Sequence, residues 1–476
     1  MPLPPDHSAE LLDMFKGRIR AHYASKDGCG LAATVGSVFR SCRSLNQSPM
    51  SWLTVRATKN SSSEVSLEGL TTPLWCYFPV NDMRHIMVLR NKIIPLPKVI
   101  LALLLMFAMR MNIFAQGKRA IVDISFNAHY SQITNSQGDE WAPTWADDGN
   151  LYTGNDDGSS FGGIGGRSMA FGKLTGDDPS ALTGATVSDM GGYGQDAARP
   201  DHANWKTMNS YCVDGALYMF VTRCLYPEQS GDQKHRHIFK NSSIIKSTDK
   251  GATWTRSPNE NYDHPMFPGL RFGAPYFVWY GKNGAASVDN ANRYVYAVAN
   301  NGHFEDGDDY ILGRVLKSRL PNLNATEWQF YTGRNGMSAG NWSSDINKAK
   351  PILQDPLNCS MTGMTYIPGL GRYVMVVWHY TTYNLRTDPR TVNDYYEAPK
   401  PWGPWTKFKT IDTGNLGWYV PIIGQKFQTV LNAKTVNCFL YPTGNYQKSS
   451  LYKLNYIPVT LSTVPLPTPS SKSAEH

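Results

Sequence analysis

The chain is 476 residues long, 41% hydrophobic and 12% aromatic, with 41 Gly, 30 Pro and a formal net charge of +8. That composition belongs to a globular protein rich in turns, because Gly and Pro supply the backbone angles that hairpins need. Residues 1–116 hold 13 of the 46 Lys and Arg and 7 of the 38 Asp and Glu, leaving 33 against 31 beyond them; the body is nearly neutral and has no basic cluster, which excludes nucleic acid as the leading partner.

Residues 1–86 show no sustained periodicity and read as an upstream extension, spurious or disordered, ahead of the working protein. From Met87 to Gln116 the pattern changes. Arg90 and Lys92 precede an eleven-residue apolar run, Val99 to Met109, followed by Ile113-Phe114-Ala115. A basic start, a short apolar centre and a small residue near the end predict a signal peptide over 87–116, since the run is short for a bilayer span. The expected product is a secreted or periplasmic monomer with no stable membrane insertion after cleavage, a retained anchor being the other reading.

The body is predicted to be one β domain over 120–461, with a disordered tail over 462–476. An apolar strand, a tight turn and a second aromatic strand recur five times. The hairpins are Trp145-Ala-Asp-Asp-Gly-Asn-Leu-Tyr152, Tyr211-Cys-Val-Asp-Gly-Ala-Leu-Tyr218, Tyr280-Gly-Lys-Asn with Arg293-Tyr-Val-Tyr296, Tyr366-Ile-Pro-Gly-Leu-Gly-Arg-Tyr373, and Val430 to Phe439. Tyr152, Tyr218, Tyr294, Tyr373 and Phe439 lie 66, 76, 79 and 66 residues apart. That spacing predicts an all-β, five-bladed β-propeller of four-stranded antiparallel blades. Trp254, Trp328 and Trp405 follow their hairpin tyrosines by 36, 34 and 32 residues and are expected to pack between blades. Ser247-Thr-Asp249-Lys-Gly251-Ala-Thr-Trp254 matches the Asp-box turn of sialidases and other propellers, a mark of fold more than of chemistry.

Four cysteines fall in the body. Cys212 and Cys224 sit on neighbouring strands of one predicted hairpin and are the best disulfide candidates, with free buried thiols the alternative.

Asp139-Glu-Trp141-Ala-Pro143-Thr-Trp145, Asp156-Asp-Gly, Phe272-Gly-Ala-Pro275, Tyr366-Ile-Pro-Gly-Leu-Gly-Arg-Tyr373 and Pro401-Trp-Gly-Pro-Trp405 together resemble domain-of-unknown-function family 4185. The resemblance runs from about residue 120 to 461. It implies a secreted bacterial five-bladed propeller similar to glycoside hydrolases, endo-D-arabinanases among them. Lys434-Thr-Val-Asn-Cys-Phe439 departs from the pattern by lacking a tryptophan in the last blade.

In such a blade the start of the innermost strand and the end of the second emerge on one face, and the turns within the blade on the other. Asp147, Asp148, Asp214 and Asp249 are thereby expected on the turn face, as turn formers. The loop face collects Asp139, Glu140, Asp156, Asp157, Asn209, Arg223, Arg271, Glu305, Asp306, Asp308, Asp309 and His379. Glycoside hydrolysis needs one carboxyl to protonate the leaving oxygen and another to attack or activate water. Asp139 is expected to be base or nucleophile, with Glu140 its close competitor, and Glu305 or Asp309 the acid. Arg271 and Arg167 would orient hydroxyls or a carboxylate, while Asp156, Asp157, Asn209 and His379 would contact substrate. No cofactor is required. The stretch from Glu305 to Asp309 also reads as a solvated loop or a calcium-binding turn.

The leading function is therefore a glycoside hydrolase acting on a polysaccharide or oligosaccharide. A non-catalytic carbohydrate-binding propeller is the alternative. A sialidase-like enzyme is the weaker third, since it needs an arginine triad and a Tyr-Glu nucleophile pair.

Overall fold

All five hairpins form. In the computed structural model Tyr211 pairs with Tyr218, Tyr366 with Tyr373, Thr144 with Tyr152, Tyr276 with Val298 and Val430 with Val436. The structure describes residues 19–22, 64–67, 86–89, 92–94, 119–126, 129–163, 168–193, 203–226, 237–255, 264–286, 293–333, 340–382, 388–432 and 434–466.

The chain divides into two compact units, Met1–Ile113 and Phe114–His476. In the first, Glu64–Leu67, Ile19–His22, Ile86–Leu89 and Lys92–Ile94 pair in that order. The expected apolar run Val99 to Met109 and the expected cleavage point at Gln116 lie outside the described residues.

The second unit is an all-β propeller whose strands fall into successive antiparallel groups. β1 (Arg119–Phe126) opens the unit and is completed only at the far end of the chain. The first group is β2 (Ser136–Asp139), β3 (Leu151–Phe161), β4 (Met169–Thr175) and β5 (Thr183–Ser188). The second is β6 (Asn204–Val213), β7 (Ala216–Leu225) and β8 (Ile238–Ser247). The third is β9 (Pro275–Trp279), β10 (Tyr294–Asn300), β11 (Asp309–Leu316) and β12 (Trp328–Tyr331). The fourth is β13 (Met364–Ile367), β14 (Arg372–Tyr380), β15 (Thr391–Ala398) and β16 (Thr406–Asp412). The last is β17 (Tyr419–Ile423), β18 (Thr435–Thr443) and β19 (Asn455–Pro465), with β1 pairing onto β19.

That final pairing joins the two ends of the unit and covers what would otherwise be an open edge of β19. β19 runs past residue 461 to Pro465, and residues 467–476 lie outside the described residues.

Strands such as β7, reading Ala-Leu-Tyr-Met-Phe-Val-Thr-Arg-Cys-Leu, are buried along nearly their whole length because a neighbouring sheet covers each face. Phe220, Phe267, Phe272 and Trp328 interlock edge to face in the core, and Phe277 packs tilted against Phe220 at 4.5 Å. Trp254 meets Phe171 edge-on at 5.0 Å, so Trp254 and Trp328 serve packing. Polar side chains tie neighbouring inner strands. Asn209 Nδ2 donates to the Phe277 carbonyl at 2.8 Å while its Oδ1 accepts the Phe277 amide at 2.6 Å. At the closure, buried Lys426 donates to the Gly149 and Gly176 carbonyls and to Asp177.

The disulfide expected between Cys212 and Cys224 does not form; Cys212, Cys224, Cys359 and Cys438 are free buried thiols. In the antiparallel register Cys212 faces Leu217 and Cys224 faces Asn204, at opposite ends of the hairpin. Adjacent strands were correctly expected, but pairing cysteines twelve residues apart overlooks the turn that sets this register.

Candidate active site

The site begins with a bulge. β2 and β3 pair Gln137 with Ser160 and Asp139 with Asp156, so Gly138 alone opposes three residues, Asp157 to Ser159. The backbones approach closely there. A Cβ on Gly138, whose φ is +110°, would lie 2.3 Å from the Asp156 carbonyl oxygen, and one on Gly158 2.2 Å from that of Gln137. Two glycines thus permit the bulge, and the bulge interrupts the alternation that would otherwise separate Asp156 from Asp157. Asp157 itself has φ 49° and Glu140 φ 57°, left-handed conformations unusual for these residues. The Glu140 amide donates to Thr443 Oγ1 at 3.0 Å, and Trp141 Nε1 to the Gly138 carbonyl at 2.9 Å, which holds the strained turn from both sides.

Four sequence-expected acids therefore converge. Asp139, Glu140 and Asp156 are buried, whereas the Asp157 side chain is 42% exposed. Asp139 Oδ2 accepts the Tyr419 hydroxyl at 2.8 Å, and Asp156 Oδ1 accepts the Thr207 amide at 2.9 Å. Lys206, 3% exposed, forms a short ion pair with Asp157. Burial alone would lower the lysine pKa, but Asp157, Asp156, Tyr226 and Asp139 around it hold it well above the usual value.

Burial pushes Asp139 up to about 7, the Asp157 charge adding to the effect, while Lys206 and the hydroxyls of Tyr419 and Tyr452 pull it back. Burial and the Asp139 charge raise Asp156 to about 8 against the opposing pull of Lys206 and the Thr207 amide. Glu140 is raised well above its normal range by burial, then by Asp156 and Asp139. Glu140 and Asp156 contact each other through their carboxyls. With both ionised, Glu140 Oε2 and Asp156 Oδ2 have no donor. A proton held between them supplies one, and the field of four carboxyls around one lysine favours keeping it.

The other expected residues have partners of their own. Glu305 is buried with Oε2 3.1 Å from His237 Nδ1, and Asp309 forms an ion pair with Arg271 at 2.7 Å. Asp308 accepts the Leu357 amide and the Asn301 side chain, so this acidic stretch divides its oxygens among separate partners. Asn209 joins inner strands, as described above. Half-buried His379 has Nδ1 3.1 Å from the Tyr380 carbonyl. Arg223 is fully buried, its guanidinium 4.5 Å from the Trp205 ring centroid. Arg167 lies outside the described residues.

Aromatic contacts lead from the acids to Glu305. Tyr226 Oη is 3.5 Å from Asp157 Oδ2, and its ring meets His237 edge-on at 5.3 Å. Tyr419, the partner of Asp139, packs against Phe304 and Trp378, and Trp378 against Tyr380. Lys206, Tyr226, His237, Tyr419 and Tyr452 were not singled out from sequence. Lys206 carried one signal, a lone cation between Trp205 and Thr207 in an otherwise buried strand. A cavity of about 530 Å³ bordered by Asp177, Phe427, Phe439 and Pro458 lies apart from these acids.

The turn face has a different character. Lys250 Nζ bridges Asp147 at 2.5 Å and the Gly215 carbonyl at 2.6 Å. Asp148 accepts from Asn150 and Tyr152, and Asp249 from Ser247 and Thr253. These aspartates form turns, as expected.

The fold resembles several solved structures. A putative hydrolase from Bacteroides ovatus is 13% identical over 69% of this chain and 87% of its own, with a TM-score of 0.43. A GH43_1 enzyme from Xanthomonas citri complexed with xylose is 10% identical over 75% and 98%, at 0.39. The catalytic domain of a Coprinopsis cinerea GH62 alpha-L-arabinofuranosidase is 9% identical over 71% and 98%, at 0.36. No curated protein matches by sequence. The model of the domain of unknown function DUF4185 matches residues 208–451, a stretch that includes Tyr419 and Glu305 and begins after Asp157. The chain belongs to the DUF4185 family.

Proposed function

We propose that this propeller is a glycoside hydrolase acting on polysaccharide at its loop face, with Asp139 as the acid and Asp157 as nucleophile or base. The observation that carries the reading is a pair of neighbouring carboxyls in opposite environments. Burial keeps Asp139 protonated up to about pH 7, while the exposed Asp157 is paired with a buried ammonium. A carboxyl that keeps its proton beside a second, solvent-reached carboxylate is what acid–base cleavage of an acetal requires. Asp139 would give its proton to the departing glycosidic oxygen. Asp157 would attack the anomeric carbon or take a proton from the attacking water.

This reverses the role expected of Asp139 from sequence. Its place ahead of Trp141 and Pro143 at the mouth of the funnel suggested a base or nucleophile, but desolvation disfavours the charged form either role needs. In this reading the acid role passes to Asp139 from Glu305 and Asp309, which contact His237 and Arg271. The half-buried ring of Tyr226 beside Asp157 suits the apolar face of a sugar. Arabinan is the first substrate to test, given the resemblance of the sequence motifs, and export to the periplasm or medium as a monomer completes the reading.

Release of reducing ends from arabinan, xylan and galactan tests the proposal. Release from one of them supports hydrolysis. Binding on a carbohydrate array without release would assign a carbohydrate-binding propeller instead.

A further inference from the structure

We propose that His237 is a further substrate-binding residue, taking one sugar hydroxyl at Nε2, with Glu305 as its positioning residue. The inference rests on the carbohydrate reading above and adds a subsite to it.

His237 stands just before β8, and its place is fixed by main chain on both sides. The Phe304 amide donates to the His237 carbonyl at 3.2 Å, and Ile238 bridges to His303. The imidazole is clamped between two rings, perpendicular to Tyr226 at 5.3 Å and to Phe304 at 5.6 Å. Glu305 Oε2 lies 3.1 Å from Nδ1. The carboxylate accepts the Nδ1 proton, so in the neutral ring Nε2 is left as a hydrogen-bond acceptor.

Exposure decides which member of the pair meets a ligand. The His237 side chain is 20% exposed and that of Glu305 4%, so the imidazole is reachable and the carboxylate stands behind it. This is the arrangement by which a carboxylate fixes the tautomer and orientation of a functional histidine. Tyr226 joins the subsite to the reacting acids, its ring against His237 and its hydroxyl 3.5 Å from Asp157. A sugar unit beside the scissile bond would thus find an apolar wall and one oriented acceptor.

The test uses Asp139→Asn as a non-cleaving background on an array of arabino-, xylo- and galacto-oligosaccharides. His237→Phe added to it keeps an aromatic ring between Tyr226 and Phe304 and removes both ring nitrogens. The proposal expects roughly tenfold weaker binding, the effect of about one hydrogen bond. In the cleaving protein, His237→Phe should raise KM about as much while kcat changes little, and Glu305→Gln should give a smaller rise in KM. Equal binding with and without His237→Phe, or binding of no oligosaccharide, would overturn the subsite. A fall in kcat at constant KM would also overturn it, since that marks a role in the transition state. Retained binding that His237→Phe weakens, in a wild-type protein that releases no reducing ends, would remove the hydrolase reading and leave the subsite standing. Circular dichroism and Tm of each variant separate these outcomes from unfolding.

Discussion

Aspartates on the two faces of this propeller do opposite things. On the turn face Asp249 is fully exposed and held down to about 2, first by the Thr253 hydroxyl and amide and then by Ser247. Asp147 is lowered too, the bonds and charge of Lys250 outweighing slight burial. On the loop face Asp139 and Asp156 are lifted to about 7 and 8, chiefly by burial. The side chain is the same; its access to water and to donors differs. A turn aspartate surrounded by amides and hydroxyls is stable as an anion and inert, whereas a buried one beside other carboxyls retains a proton it can transfer.

The contrast can be broken most severely at Lys206, the one cation that the loop-face acids share among the described residues. Lys206→Met leaves those carboxyls uncompensated and should cost about 3 kcal/mol in denaturant unfolding at pH 8. The cost should shrink at pH 5, where the acids take up protons. Because Lys206 lowers the Asp139 pKa, the alkaline limb of the activity profile should also move above pH 7 in this variant. An unchanged limb would show that Lys206 does not tune Asp139.

A smaller effect sharpens the same comparison through pH. Asp139 and Asp156 bind protons more tightly folded than unfolded, so their contribution to stability is fully present below about pH 4, near the unfolded carboxylate value. It is lost as pH rises through about 7 and 8. Tm should therefore fall between pH 6 and 9, and Asp156→Asn should flatten that fall. A Tm that rises over this interval would contradict the assignment.

The smallest effect belongs to the turn face. Asp249→Asn should lower Tm slightly and leave turnover unchanged, because Asp249 binds only its own turn, through Ser247 and Thr253. A large loss of activity would place Asp249 in the chemistry.

Repeating hairpins made the propeller legible in the sequence, since Tyr211, Tyr218, Tyr366 and Tyr373 mark both the strands and their register. Strand alternation also separated Asp147 and Asp249 from Asp139 and Asp156. What it could not convey was the bulge at Gly138 and Gly158, where regular pairing breaks and Asp157 joins its neighbours. Nor could it reveal Lys206, because a lone lysine in a strand declares its partners only when another strand crosses it. The choice of Glu305 or Asp309 as acid rested on a shared loop face and on neighbouring carboxylates. The partner of Glu305, His237, lies 68 residues away in the chain, and that separation hid the pairing.

Turnover of Asp139→Asn and Asp157→Asn across pH, on whichever polysaccharide the wild type cleaves, tests the acid–base pair most directly. The wild type should lose activity as pH rises through about 7, where Asp139 gives up its proton. Each variant should lose roughly 10²–10⁴-fold in kcat with its circular dichroism unchanged. Full activity in Asp139→Asn, or a wild-type profile flat from pH 5 to 9, would contradict the account.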